Sequence, residues 1–308
     1  MRLRVSNFLT WITLGTVVAA SAAMLLGQAP AGGRGAAPAA PAAQGGRGAG
    51  APAQAPAQGR GAAPAGPVLP RTADGHPDFS GVWQVLDDSA NGDIEPHAAS
   101  WGVRAGQGII VDPADGKIPY KPEALARRQA NYKNRAEDPA SRCWKPGVPR
   151  IMYFPFPFQI TQSPKMIQMT FEFVHSRRDL YVNESKHLEG IDFFNGDSRA
   201  KWEGDTLVVD VSNLNDDPTR PTWLDASGNY HSDALHVVER YTFNGPDIIT
   251  YRATLDDSKT YSRPFTIETL LYRHKEKNFR VLEYECQVFK EQLMREGKGD
   301  YLRIVTGN

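Results

Sequence analysis

From residue 71 onward, the alternation of large apolar and polar positions is mostly that of strands. Asp78 to Val85 alternates large and small residues after a turn-forming Gly75-His76-Pro77, which predicts a first strand. Lys165 to Val182 holds two apolar stretches broken at Ser176-Arg177-Arg178, so it reads as a strand, a bend and a second strand. Lys201 to Val211 is the clearest hairpin, two strand runs joined by Glu203-Gly204-Asp205, with Gly204 free to take a positive φ. Further strands are expected at Leu235–Phe243, Ile248–Leu255, Phe265–Tyr272 and Phe279–Cys286. The short connections between them call for antiparallel neighbours. Helical signals are few: Pro122 suits the first turn of a helix running to Ala136, and Val288 to Glu296, closed by Gly297, is a second. This pattern predicts an all-β protein with two short helices. An antiparallel meander closed into a barrel is the economical solution because closure removes exposed edges; a two-sheet β-sandwich is the alternative.

The first 70 residues do not share this pattern. Residues 1–29 read as a signal peptide: Arg2 and Arg4 precede an apolar run from Phe8 to Leu26, and Gly27-Gln28-Ala29 offers a small-x-small cleavage site. A run of this length would also serve as a retained membrane anchor. Residues 30–70 hold 10 Gly, 8 Pro and 15 Ala, with Val68 and Leu69 the only larger apolar side chains, a composition expected to form a disordered linker. Within it Arg34, Arg47 and Arg60 recur in Gly-Arg-Gly-Ala units with no hydrophobic face to stack, so the repeat reads as a spacer. The barrel domain is then residues 71–308, and its compartment periplasmic or secreted.

Charge refines the picture. The chain carries 35 Lys+Arg and 35 Asp+Glu, but every acidic residue lies from Asp74 onward and five of the arginines lie in residues 1–70, leaving the domain a net −5. A general nucleic-acid binder needs the opposite balance. One long apolar run excludes a polytopic membrane protein, and once the signal is cleaved no membrane partner is expected. Cys143 and Cys286 are the only cysteines. In an oxidising compartment they most simply pair with each other, constraining the unfolded chain by roughly 4–5 kcal/mol in the loop-entropy model.

Four runs carry a resemblance: Ser141-Arg142-Cys143 to Gly147-Val148-Pro149-Arg150, Trp202-Glu203-Gly204-Asp205-Thr206-Leu207-Val208-Val209-Asp210, His231-Ser232-Asp233-Ala234-Leu235-His236-Val237-Val238-Glu239-Arg240, and Asp256-Asp257-Ser258 through Pro264. Together they resemble a large family of exported proteins of environmental bacteria, mostly without an assigned reaction. The resemblance spans roughly Pro77 to Cys286 and implies export and a common fold. The chain has Gly196-Asp197-Ser198 where that family leads one to expect Gly-His-Ser. Gly81-Val82-Trp83 is similar to the Gly-x-Trp opening of lipocalin-type barrels, which implies a lipocalin-like barrel.

Candidate chemistry gathers in the middle of the chain. His231 and Asp233 fall on one side of an extended segment, and an imidazole beside a carboxylate is the arrangement a general base requires. His236 opens the next strand, and by strand parity His175 continues the apolar face of Ile167, Met169, Phe171 and Phe173 into the barrel. These four are the candidate catalytic residues. Phe171, Phe173, Trp223 and Tyr251 are the candidate ligand-binding residues, lining the interior or covering a planar molecule. No metal site is expected, since His231 and His236 have opposite strand parity. With no phosphate loop, nucleophile elbow or Cys-x-x-Cys, no cofactor is expected either. Two function classes remain: an exported barrel binding a small apolar or aromatic molecule, or a cofactor-free enzyme (hydratase, isomerase or hydrolase) using His, Asp and Glu as acid and base. If Leu235, Val237, Tyr251 and Ala253 face inward the binder gains; if His236, Arg240, Arg252 and Thr254 do, the enzyme gains.

Overall fold

The computed structural model describes residues 68–297 apart from Trp101, Gly102 and Asp216; the expected signal peptide and nearly all of the expected linker lie outside the described residues. Ten strands form: β1 (Gly81–Val85), β2 (Ile110–Asp112), β3 (Phe158–Gln162), β4 (Met166–Phe171), β5 (Arg177–Val182), β6 (Asp197–Glu203), β7 (Thr206–Ser212), β8 (His236–Phe243), β9 (Ile248–Asp256) and β10 (Phe265–Arg273). All but β2 pair in the order β1-β3-β4-β5-β6-β7-β8-β9-β10, and β10 returns to β1, so a nine-stranded sheet closes on itself. β2 adds an outer strand along β10. The barrel alternative therefore holds over the sandwich.

Two features depart from the meander. β5 and β6 run parallel, because the chain of residues 183–196 crosses back along the outside before re-entering the sheet. The segment Phe279–Cys286 is not a strand; it is irregular, and Cys286 instead opens the helix α2 (Cys286–Arg295). The other helix, α1 (Leu125–Lys133), follows a short 3-10 turn at Pro122–Ala124, close to expectation. The expected disulfide is present: Cys143 and Cys286 are joined, with Cα atoms 5.5 Å apart.

Strand direction sorts the connections. The tight β3–β4, β6–β7 and β8–β9 turns share one end of the barrel. There Phe79 stacks on Phe243 at 4.7 Å, and the Arg273 guanidinium lies 4.3 Å above the buried Trp83 ring. The long excursions, residues 86–157, 213–235 and 257–264, all emerge at the opposite end. Function on a rigid scaffold is therefore sought at that end.

Inside, alternation is cleanest on β8 and β9. Val237, Glu239 and Tyr241 of β8 and Ile249, Tyr251, Ala253 and Leu255 of β9 are buried, whereas His236, Arg240, Arg252 and Thr254 take the other face. Apolar parity thus faces in, with one charged exception. Arg178 of β5 and Glu239 of β8 are both fully buried and meet across the interior, Nη1 to Oε1 at 3.0 Å. Ser198 accepts from Arg178 Nε at 3.0 Å, and the Tyr241 and Tyr251 hydroxyls donate to Glu239 at 3.2 and 2.8 Å. Burial works against the Arg178 charge, but Glu239 outweighs it and holds the guanidinium protonated above its ordinary range. The middle of the barrel is a saturated polar network set in apolar walls.

Candidate functional site

At the loop end the chain leaving β1 makes a short turn, Asp88–Asn91, capped by Asp87, whose carboxylate accepts from Ser89 N at 2.9 Å. This delivers Asn91 and Asp93 inward. From the other side comes Arg150, set by a turn in which Gly147 takes φ 75°, and a Cβ there would lie 2.7 Å from the Phe194 carbonyl. Arg150 donates two parallel bonds to Asp138, at 2.6 and 2.7 Å, and its Nε donates to Asn91 Oδ1 at 3.0 Å. Both members of this fork are buried. Asp138 also caps the turn leading to the disulfide, accepting from Ala140 N at 3.1 Å.

Asp225 completes the group. Its Oδ2 accepts from Ile94 N at 3.0 Å and Asn229 Nδ2 at 2.7 Å, and its Oδ1 from Ser227 N at 3.0 Å and Asn229 N at 3.2 Å. The same Asn229 Nδ2 reaches Asp93 Oδ1 at 3.2 Å, so one amide ties two carboxyls together. Burial pushes both upward, and repulsion between the two adds to the rise, so that together they hold one proton up to about 7.

Asn91, Asp93, Asp138 and Arg150 border a cleft of about 630 Å³, with Asp225 and Asn229 behind them. Its floor is made of Asp93, Asp138 and Arg150, its wall includes Phe154 and Tyr132, and its rim carries the exposed Asp88–Arg104 ion pair. The volume matches that of small-molecule sites, and the mixture of fixed polar groups with an apolar wall is their usual chemistry.

The expected site residues reach the same end of the barrel but take separate partners. His175 does not point inward: β4 stops at Phe171, Val174 and His175 take φ 48° and 46°, and the broken parity exposes the imidazole beside Glu285, 3.4 Å away. His175, Glu283 and Glu285 form an exposed cluster at the surface. His231 is buried, donating from Nδ1 to the Ser232 carbonyl at 2.9 Å, with Nε2 2.7 Å from the Thr222 hydroxyl. Asp233 faces outward and pairs with Lys259 at 2.7 Å. His236 lies on the outer face, 3.0 Å from Asp210, whose other oxygen meets His187 at 2.7 Å. The segment Thr222–Ser232 is buried into the body of the protein, with the Tyr153 hydroxyl donating to the Leu224 carbonyl at 2.7 Å, so it is a wall and not a cover.

Of the aromatic candidates, Phe171 stacks on Phe158 inside the barrel and Tyr251 is committed to Glu239. Phe173 packs 4.5 Å from Phe154 and so backs the cleft wall. Trp223 packs with Ala124 and Tyr230 and borders a second pocket of about 480 Å³ with Trp144, Arg127 and Arg142. Asp93, Asp138, Arg150, Asp225 and Asn229 were missed by the sequence reading. The available signals were the Asn91-Gly92-Asp93 and Asp225-Ala226-Ser227-Gly228-Asn229 turns, each able to aim a carboxylate at nearby backbone N–H groups.

Fold and cleft together define a class: a closed β-barrel that carries a polar cleft among its long loops. No protein-family model matches the chain, and no curated protein matches it either.

Proposed function

We propose that the protein is an exported small-molecule binder whose ligand occupies the loop-end cleft and not the barrel interior. The observation that carries this reading is the cleft floor: Asp93, Asp138 and Arg150 are buried and held by fixed partners, so they are oriented before any ligand arrives. The ligand is a compact molecule with an apolar or aromatic body resting on Phe154 and Tyr132 and a polar group directed at the floor. Export is supported by the disulfide, which is stable in an oxidising compartment.

A thermal-shift screen of a metabolite library tests the reading. The native chain should gain stability with one chemical series, and Ser141→Trp, which fills the cleft from a half-buried position on its lining, should lose that gain while melting near the native temperature. A series that stabilises both proteins equally would refute the cleft as the site. One observation favours a second reading, the cofactor-free enzyme: two interacting carboxyls raised toward neutrality are suited to acid–base work. Turnover of a bound compound, lost in Asp93→Asn with binding retained, would separate enzyme from binder.

A further inference from the structure

We infer that Asp93 keeps a proton in the native protein and presents it to the cleft, so that the ligand's polar group is a neutral oxygen acceptor, a carbonyl, ether or hydroxyl, and not an ammonium. The inference rests on the cleft being the binding site.

The donors decide where the proton lies. Asp225 accepts four N–H bonds, two on each oxygen, which fills its lone pairs and leaves a carboxyl hydrogen no place. Asp93 accepts from Glu95 N at 3.0 Å and Asn229 Nδ2 at 3.2 Å, both on Oδ1. Its carboxyl also takes the Ser227 hydroxyl, and Ser227 and Asp93 both line the cleft. Asp225 is thus held as the anion, and Oδ2 of Asp93 has room for the hydrogen.

Charge leads to the same place. The acidic groups facing the pair are Glu95 from the same loop and Asp138 from the turn before the disulfide. The cations are Arg128 of α1, which reaches Asn229 Oδ1 at 3.2 Å, and Arg150, whose fork is taken by Asp138; Lys117 serves Glu95 at 3.1 Å. Tyr120 and Tyr153, two further neighbours of Asp225, are neutral phenols that burial pushes further up. Arg135 and the Asp88–Arg104 pair also line the cleft and leave the overall count balanced, so what retains the proton is the closeness of the two carboxyls. The two carboxyls, bridged by one amide nitrogen, lie within about 6 Å of each other, where like charges disfavour double ionisation. A protonated carboxyl donates to an acceptor oxygen but offers an ammonium no charge partner.

The test is a carboxyl carbon-13 NMR titration of the aspartate-labelled protein, alone and as Asp93→Asn and Asp225→Asn. The Asp93 carboxyl should titrate above the ordinary carboxylate range, its signal being absent in Asp93→Asn and moved to lower pH in Asp225→Asn, and a high-titrating signal kept in Asp93→Asn but lost in Asp225→Asn would overturn the assignment. If every aspartate ionises below about pH 5, the ordinary carboxylate range with a margin, the inference is overturned. Cyclohexanone and cyclohexylamine serve as cleft probes. Cyclohexanone should bind better, losing up to about tenfold in affinity per pH unit above the titration, and in Asp93→Asn that loss should vanish. Tighter binding of the amine would overturn the ligand class. If neither probe binds while Asp93 retains its proton, the binding reading fails and the proton assignment stands.

Discussion

Replacing Arg178 by Met should be among the most damaging single changes in the barrel. The guanidinium and Glu239 are both buried, and removing one leaves the other's charge in the interior. Arg178→Met deletes the 3.0 Å bond to Glu239 Oε1, its parallel partner to Oε2 and the 3.0 Å bond to Ser198. The remaining carboxylate keeps only the Tyr241 and Tyr251 hydroxyls. Breaking such a pair costs about 3–5 kcal/mol. At about 2–4 °C per kcal/mol for a domain of this size, the melting temperature should fall by roughly 6–20 °C. Glu239→Gln in the same chain removes the stranded charge while its amide oxygen still accepts from both tyrosines. The double variant should therefore recover at least about 2 kcal/mol relative to Arg178→Met. Urea denaturation of the four proteins completes the cycle. A cost below about 1 kcal/mol for Arg178→Met, or strict additivity in the double variant, would refute the claim that this pair organises the interior.

Reducing the Cys143–Cys286 disulfide, which encloses 143 residues of separation, should lower stability by as much as about 4–5 kcal/mol in the loop-entropy model, read by melting with and without reductant. Mass measurement after alkylation should find no free thiol before reduction. Stability should also peak on the mildly acidic side. The Asp93–Asp225 pair is raised in the fold, so its contribution is present below the ordinary carboxylate range and is lost as pH rises toward about 7, by on the order of a few kcal/mol. Asp257 behaves oppositely: burial pushes it up, but the Ser232 amide and hydroxyl outweigh this and hold it low, so its contribution is lost as pH falls below about 4. In Asp93→Asn the decline toward neutrality should flatten while the acid limb remains.

The barrel was legible in the sequence because its strands alternate cleanly and its turns carry the right residues, as in Trp202 to Asp210. What escaped did so for local reasons. β3 follows Phe154-Pro155-Phe156-Pro157, whose prolines argue against a strand until Phe158 is reached. Arg178 sits in a polar triplet that suggests a bend, and only the alternation of Arg178, Leu180 and Val182 places its charge inside. The parallel β5–β6 pair depends on a crossover whose register is set by tertiary packing, with Phe193 bridging to Leu214. The site was less legible than the fold. Histidines draw notice for their chemistry, yet here they are held by Thr222, Asp210 and Glu285. The linked carboxyls come from segments far apart in the chain, and nothing local announces that Asn229 will join Asp93, on the cleft, to Asp225 behind it.

The most direct measurement is amide chemical-shift mapping of the native chain with the strongest stabilising compound from the screen. The account predicts that shifts concentrate at Ser89, Gly92, Ala140, Ser141, Phe154 and Ala226, which border the cleft. Shifts confined to the inward residues of β8 and β9, such as Val237, Tyr241 and Ala253, or to Trp144 and Trp223 in the second pocket, would contradict it.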